Sequence, residues 1–165
     1  MIRIAGINKN DYINGEGISV SLFLQGCPFE CQGCHNPETW DSEGGIQRDE
    51  NELIQEIEDA IKSNGIIRNL SILGGEPLDT MHKREFLLKL ITTVRKDFPN
   101  IIICLWTGYT WEQLQNIVHR AFIIPDILNN IDYLIEGPFK IEERDITLKW
   151  RGSRNQRIIN LKEIK

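Results

Sequence analysis

The sequence predicts an α/β domain with a mostly parallel sheet, in the form of an incomplete, open (β/α) barrel. Three observations lead there. Apolar stretches of strand length alternate with amphipathic stretches of helix length, in the order strand–loop–helix, strand–helix, strand–helix, strand. That order fits parallel strands joined by right-handed crossovers. Ile101–Trp106 (IIICLW) is almost continuously apolar, as a strand buried on both faces should be. The chain has 165 residues, enough for one domain over 1–165 but short of the roughly 250 that a full eight-unit barrel takes.

The elements follow in order. Ile2–Ile7 is a short apolar strand, and Asn14-Gly15-Glu16-Gly17 is a turn by composition. Ile18–Gln25 (ISVSLFLQ) alternates apolar and polar residues and reads as a strand. Asp41–Gln47 is a glycine-containing connector. Asp49 and Glu52 have the spacing of a helix N-terminus, and Leu53, Ile54, Ile57, Ala60 and Ile61 form one apolar stripe behind them. Asn64-Gly65 ends that helix, because Gly tolerates the left-handed conformation. Ile66–Leu73 is the next strand. Thr80–Lys96 is a helix with Phe86, Leu87, Leu90, Ile91 and Val94 inward. After Ile101–Trp106, Thr110 and Gln113 cap a third helix carrying Leu114, Ile117 and Val118. Ile131–Ile135 is a strand, and the tail from Thr147 to Leu161 supplies the last one. No repeat, low-complexity segment or interdomain linker interrupts the pattern.

The chemistry concentrates in Gln25–Trp40, QGCPFECQGCHNPETW, which holds Cys27, Cys31 and Cys34 out of four cysteines in all. Gly26, Pro28 and Gly33 keep this stretch out of regular structure, so it is a loop able to point three thiolates at one centre. A four-iron cluster takes one thiolate per iron. Three cysteines leave one iron free to bind a substrate or cofactor. Structural zinc needs a closed tetrahedral set, which His35 would complete. Adjacent Cys34 and His35 reach one metal only with strain, so the iron–sulfur reading is favoured while zinc stays open. Three clustered thiols and one distant thiol make a poor disulfide framework.

Composition narrows the partners. Apolar residues make up 41% and charged residues 26%, the balance of an ordinary globular domain. A formal net charge of −5 argues against nucleic acid as the main partner. No apolar run approaches a membrane span, and Met1–Tyr12 lacks the apolar core of a signal peptide. These features place the chain in the cytoplasm, where thiols stay reduced.

Gly74-Gly75-Glu76-Pro77 is the second constellation. In parallel α/β folds, sites gather at the C-terminal ends of strands. The cysteine loop and this segment both follow strands, so they emerge on one rim. Two glycines let backbone approach a ligand closely, and Glu76 adds an acceptor for an ammonium or hydroxyl. Alone, such a turn is weak evidence. Opposite a three-cysteine loop it fits a zwitterion whose amine and carboxylate chelate the open iron.

CxxxCxxC followed by Gly-Gly-Glu-Pro resembles the radical S-adenosylmethionine superfamily. CQGCHNPETW, with Gly33 where most of that superfamily has an aromatic residue, is similar to the activating proteins of anaerobic ribonucleoside-triphosphate reductase. So are WTGYTWEQL (106–114), DYLIEGPF (132–139) and KWRGSRNQR (149–157). These motifs span most of the chain in order. The resemblance implies a [4Fe-4S] cluster on Cys27, Cys31 and Cys34, with the free iron binding the methionyl part of S-adenosylmethionine. It places Gly33 and His35 beside that cofactor, and Gly74, Gly75 and Glu76 at its amino group. It assigns no catalytic side chain. One electron, from reduced flavodoxin or a similar donor, would split the sulfonium into methionine and a 5′-deoxyadenosyl radical. That radical would take a hydrogen atom from a backbone glycine of the reductase large subunit. Group members commonly have aspartate where Glu136 stands.

Other residues carry plainer expectations. Cys104 is a buried core thiol, and His82 and His119 lie on helix surfaces. Trp40 either covers the cysteine loop or packs on the sheet. Arg151, Arg154 and Arg157 are ambiguous on an acidic chain without an aromatic stacking series, and Arg151 and Asn155 either reach the cofactor or partner, or fix the tail to the barrel. Trp106, Thr107 and Gly108 end a strand on the active rim, where they suit adenine or ribose. Other small radical S-adenosylmethionine enzymes are the near alternative. A zinc-stabilised interaction module without catalysis is the alternative from another class.

Overall fold

The computed structural model describes residues 1–164; Lys165, the last residue of the expected domain, lies outside them. Seven strands form one open sheet: β1 (Ile2–Asp11), β2 (Ser19–Leu24), β3 (Ile46–Arg48), β4 (Asn69–Gly74), β5 (Ile103–Thr107), β6 (Tyr133–Glu136) and β7 (Arg157–Asn160). Their spatial order is β3-β1-β2-β4-β5-β6-β7. The four central strands β2, β4, β5 and β6 are parallel. Both edges are antiparallel, with β1 pairing β2 and β3 on one side and β7 pairing β6 on the other. The expectation of a mostly parallel sheet therefore holds at the centre, and the whole is a mixed sheet that does not close. The edges reverse because β1–β2 and β6–β7 are joined without a crossover helix, the element that a parallel connection needs.

Four helices complete the fold: α1 (Glu50–Ile61), α2 (Met81–Asp97), α3 (Trp111–Val118) and α4 (Ile123–Asn129). Their starts are where the cap signals put them. Asp49 accepts from the amides of Asn51 and Glu52, Thr80 accepts from Lys83, and Thr110 with Gln113 forms a reciprocal capping box. The expected inward residues of α1 and α2 are all buried. On α3 only Leu114 is fully buried, while Ile117 and Val118 are half-buried.

Three elements depart from the sequence reading. β3 occupies the end of the expected connector, where three residues pair with Ile2–Ile4 at the sheet edge. α4 was not foreseen because Pro125 interrupts its pattern, yet proline in a first turn removes only an amide that has no partner there. The strand expected from Ile66 begins at Asn69, leaving Ile66 and Ile67 exposed. Arg68 takes up the intervening turn by donating to the carbonyls of Ala60, Ser63 and Ile66 at the end of α1.

The two faces of the sheet differ. Val20, Leu22, Leu70, Ile72, Ile103, Leu105 and Leu134 belong to the hydrophobic core with the helices. Register puts Ser19, Ser21 and Phe23 beside Asn69, Ser71 and Leu73 on the other face, with Cys104 beside Ser71. The turn 14–17 lies on these small side chains. Ser71 Oγ donates to Asn14 O at 2.7 Å, and Asn69 Nδ2 to Glu16 O at 2.8 Å. Gly15, at φ +100°, admits no side chain, since a Cβ would stand 2.5 Å from Ser71 Oγ. Cys104 is 1% exposed, the expected core thiol, and burial pushes it up to about 12.

Candidate functional site

Beyond Leu24 the chain turns at Gly26, φ +93°, into the cysteine loop. Buried Gln25 closes this loop by donating from Nε2 to the carbonyls of Glu38 and Asp41, both at 2.8 Å. The backbone adds Gly26 N to Thr39 O at 2.7 Å and Cys27 N to Trp40 O at 3.2 Å. Trp40 thus takes part through its carbonyl. Farther out, the Phe29 ring meets Tyr109 edge-on at 5.0 Å and lies over Gly108, where a Cβ would come within 2.7 Å of the ring. Gly33, at φ +78°, faces residues of the C-terminal segment: a Cβ there would stand 2.7 Å from Ile141 Cδ1. His35 lies against the Phe139 ring at 5.8 Å.

All four cysteines are free, and Cys27, Cys31 and Cys34 are half-buried on this one loop. Burial pushes the Cys27 and Cys31 thiols up. The amides of Phe29 and Glu30 oppose this at Cys27, and that of Phe139 at Cys31. The Asn36 amide donates to Cys34 Sγ at 3.4 Å. Thiols on an irregular loop with amides aimed at sulfur suit an iron–sulfur cluster, whose charge such bonds stabilise. Among the described residues, no three His, Cys, Asp or Glu side chains converge on a single-ion site.

Gly74-Gly75-Glu76-Pro77 meets the base of that loop. Leu24 pairs with Gly74 in register, Gly75 N donates to Leu24 O, and Glu76 N donates to Gly26 O, both at 2.8 Å. A Cβ on Gly75 would collide with the Gly26 carbonyl. Glu76 itself is 1% exposed. Its Oε1 accepts from Leu78 N and Thr107 Oγ1, and its Oε2 from Gly108 N, at 2.7 to 2.9 Å. Burial pushes this carboxyl up to about 7 against the pull of those three donors.

A cleft of about 820 Å³ opens beside the loop on the face away from the helices. Its lining includes Cys34, His35, Phe23, Leu73, Trp106 and Arg151. Residues 139–156 form its far wall, a segment knotted to itself. Gln156 Oε1 accepts from the amides of Gly152 and Ser153, Gln156 Nε2 donates to Gly137 O, and Asn155 Nδ2 donates to Pro138 O. Trp106 Nε1 donates to Trp150 O at 2.8 Å, tying this wall to the sheet.

The chain matches the family described as a 4Fe-4S single cluster domain over residues 13–159. It is 38% identical over 156 residues to the anaerobic ribonucleoside-triphosphate reductase-activating protein of Haemophilus influenzae, covering 92% of this chain and 94% of the relative. The protein of that name from Pasteurella multocida is 36% identical over 152 residues, covering 88% and 89%. The chain belongs to the anaerobic ribonucleoside-triphosphate reductase-activating protein family. The match supports an iron–sulfur cluster in this fold, so the zinc module loses its ground. In this member of the family, Cys27, Cys31, Cys34, Gly33, His35, Gly74, Gly75 and Glu76 all fall on one rim of the sheet.

The ambiguous residues also find places. Arg157 pairs with Glu136 at 2.5 Å and with Glu112 at 2.7 Å, and Trp111 N donates to Glu136 Oε2. Glu136 thus joins β6, β7 and the start of α3. Asn155 ties the tail, whereas Arg151 both lines the cleft and donates to Gln156 O. Exposed Arg154 joins through its amide, to Glu143 O. Sequence reasoning missed Gln25 and Lys83. A readable signal for Lys83 existed, because it stands on the buried stripe of α2 continued by Leu87, Leu90 and Val94.

Proposed function

We propose that this chain activates anaerobic ribonucleoside-triphosphate reductase as a radical S-adenosylmethionine enzyme, on an incomplete barrel of that superfamily's type. One observation carries the reading: a three-cysteine loop and a Gly-Gly edge are stitched together at adjacent parallel strand ends, beside one cleft. Cys27, Cys31 and Cys34 hold a [4Fe-4S] cluster. When bound, the cluster and S-adenosylmethionine supply one-electron cleavage of the sulfonium and removal of a hydrogen atom from a backbone glycine of the reductase large subunit.

The chain's own residues bind and orient. Gly74 and Gly75 offer bare backbone to the cofactor's amino group. Glu76, its oxygens held by Leu78, Thr107 and Gly108, acts on that group through charge from behind the glycine edge. Gly33 and His35 flank the cofactor from the loop. Phe23, Leu73 and Trp106 give the cleft an apolar floor for the adenosyl part. The volume fits a nucleoside-sized ligand, and the open side leaves an approach for a polypeptide. Reduced flavodoxin or a similar protein supplies the electron, and the setting is cytoplasmic, without nucleic acid or membrane. Among the described residues no helix is long and apolar enough to cross a membrane.

The test is anaerobic reconstitution with iron and sulfide, then an assay of 5′-deoxyadenosine with a reductant, with and without the reductase subunit. The parent should be brown and form 5′-deoxyadenosine. Cys31→Ala should lose both cluster and product while its circular dichroism stays that of the parent. Equal product from Cys31→Ala, or stoichiometric zinc with negligible iron in oxygen-free parent, would end this reading.

A further inference from the structure

We infer that Lys83 is a positioning residue that fixes the spacing between the cysteine loop and the Gly74-Gly75 edge; this rests on the function proposed above. Lys83 lies in the first turn of α2, where its amide is held by the Thr80 cap. Its side chain is buried, an unusual place for lysine. Two backbone carbonyls accept from its ammonium, and a carboxylate oxygen stands beside it as an ion pair without a hydrogen bond. Nζ lies 2.8 Å from Gly26 O, 3.0 Å from Glu76 O and 2.9 Å from Asp79 Oδ1.

The acceptors say what the lysine does. Gly26 immediately precedes the first cysteine, and Glu76 immediately follows the glycine pair. One ammonium thus bridges the segment that would hold the cluster and the segment that would meet the cofactor's amino group. Gly26 O also accepts from Glu76 N at 2.8 Å, so the two loops share a single vertex that Lys83 clamps. The contact is close enough to forbid a side chain at Gly75. An ammonium buried for packing alone would be inferior to an apolar side chain of the same volume. Its use here is to fix two backbone carbonyls, one from each segment, with a single side chain. Lys83 touches no reacting atom in this arrangement; it acts through the backbone on either side.

The experiment uses Lys83→Met, which keeps length and apolar bulk, with Asp79→Asn as control. The control removes the ion pair and leaves both carbonyl contacts. Two readouts are needed. In the metal-free chain, amide hydrogen exchange at Cys27 and Glu76 should speed up by about tenfold in Lys83→Met and stay near the parent in Asp79→Asn. In the anaerobically reconstituted protein, iron content should stay at the parent level. The S-adenosylmethionine concentration that half-saturates the change in the reduced cluster's electron paramagnetic resonance spectrum should rise about tenfold or more. Lys83→Gln is read the same way, so that poor folding of the methionine variant leaves the question answerable. Parent-like exchange and parent-like half-saturation in the folded variants overturn the inference. Asp79→Asn weakening binding as much as Lys83→Met also overturns it, by reducing Lys83 to half of an ion pair. A parent whose spectrum ignores S-adenosylmethionine fails the proposed function instead, and the exchange experiment still judges the clamp.

Discussion

The same strands present two unlike faces. Toward the helices, β2, β4 and β5 offer Val20, Leu22, Leu70, Ile72, Ile103 and Leu105, all without solvent exposure. Toward the cleft, the alternate residues run from Ser19, Ser21, Ser71 and Cys104 to Phe23, Leu73 and Trp106 at the strand ends. The first face is selected for volume, because helices must pack on it at native density. The second is selected for space: small side chains admit the turn 14–17 at one end, and large ones floor the cleft at the other. Damage to the helix face should therefore appear in stability, and damage to the cleft face in what the rim can hold.

The largest stability effect is expected from Leu22→Ala. Leu22 is fully buried in the core on the helix face of β2, and removing its branched end leaves a cavity there. The loss should be about 3 kcal/mol in urea unfolding. At neighbouring Ser21, on the opposite face, Ser21→Ala removes a small buried hydroxyl that helps hold the Asp11 carboxylate ionised, and the loss should be about 1 kcal/mol, well short of that at Leu22. Equal losses at the two positions would erase the distinction between the faces.

How much of this was legible depends on what carried each signal. Strand and helix positions came from periodicity, and caps at Asp49, Thr80 and Thr110 came from local chemistry, so both could be read. The three cysteines and Gly74-Gly75 were legible because rare residue types at short spacing have few other uses. β3 was not legible, since three edge residues are too few for a period. The antiparallel edges depend on which strands meet, and no local signal states that. Gly33 was marked by motif, but its reason, the approach of Ile141, lies more than a hundred residues along the chain. Lys83 could be placed on the buried stripe of α2, but the sequence does not display the two carbonyls it meets.

Glu76 tests the junction between the faces, because its carboxylate crosses from the glycine edge to Thr107 and Gly108 on β5 and just beyond. Burial lifts it from 4.5 to about 7. The folded chain then keeps a proton that the unfolded chain has released, so this group's contribution to stability falls as pH rises from about 4.5 through about 7. In Glu76→Gln that part of the slope is absent. The variant should gain about 2 kcal/mol on the parent between pH 5 and pH 8, whatever its starting level. Urea unfolding at several pH values measures this. Parallel profiles would show that Glu76 does not carry the slope, and that its three donors outweigh burial.

A more local effect is expected at Trp106, where the cleft face meets its far wall. Trp106 Nε1 donates to the carbonyl of Trp150, a residue held at φ +57° and packed edge-on against Tyr133 at 5.5 Å. A bulky side chain in the left-handed region is strained, and it persists only while its surroundings hold it. Trp106→Phe keeps the ring on the cleft floor and deletes the one donor, which should cost about 1 kcal/mol. The consequence is local. Residues 139–156 remain tied by Gln156 and Asn155, so the sheet stays folded while the stretch around Trp150 opens more often. Trypsin should cut after Lys149 and Arg151 faster in the variant than in the parent, with cleavage in α1 and α2 unchanged. Acceleration at all sites alike would mean that Trp106 supports the whole sheet, and that the far wall is not a separate unit resting on it.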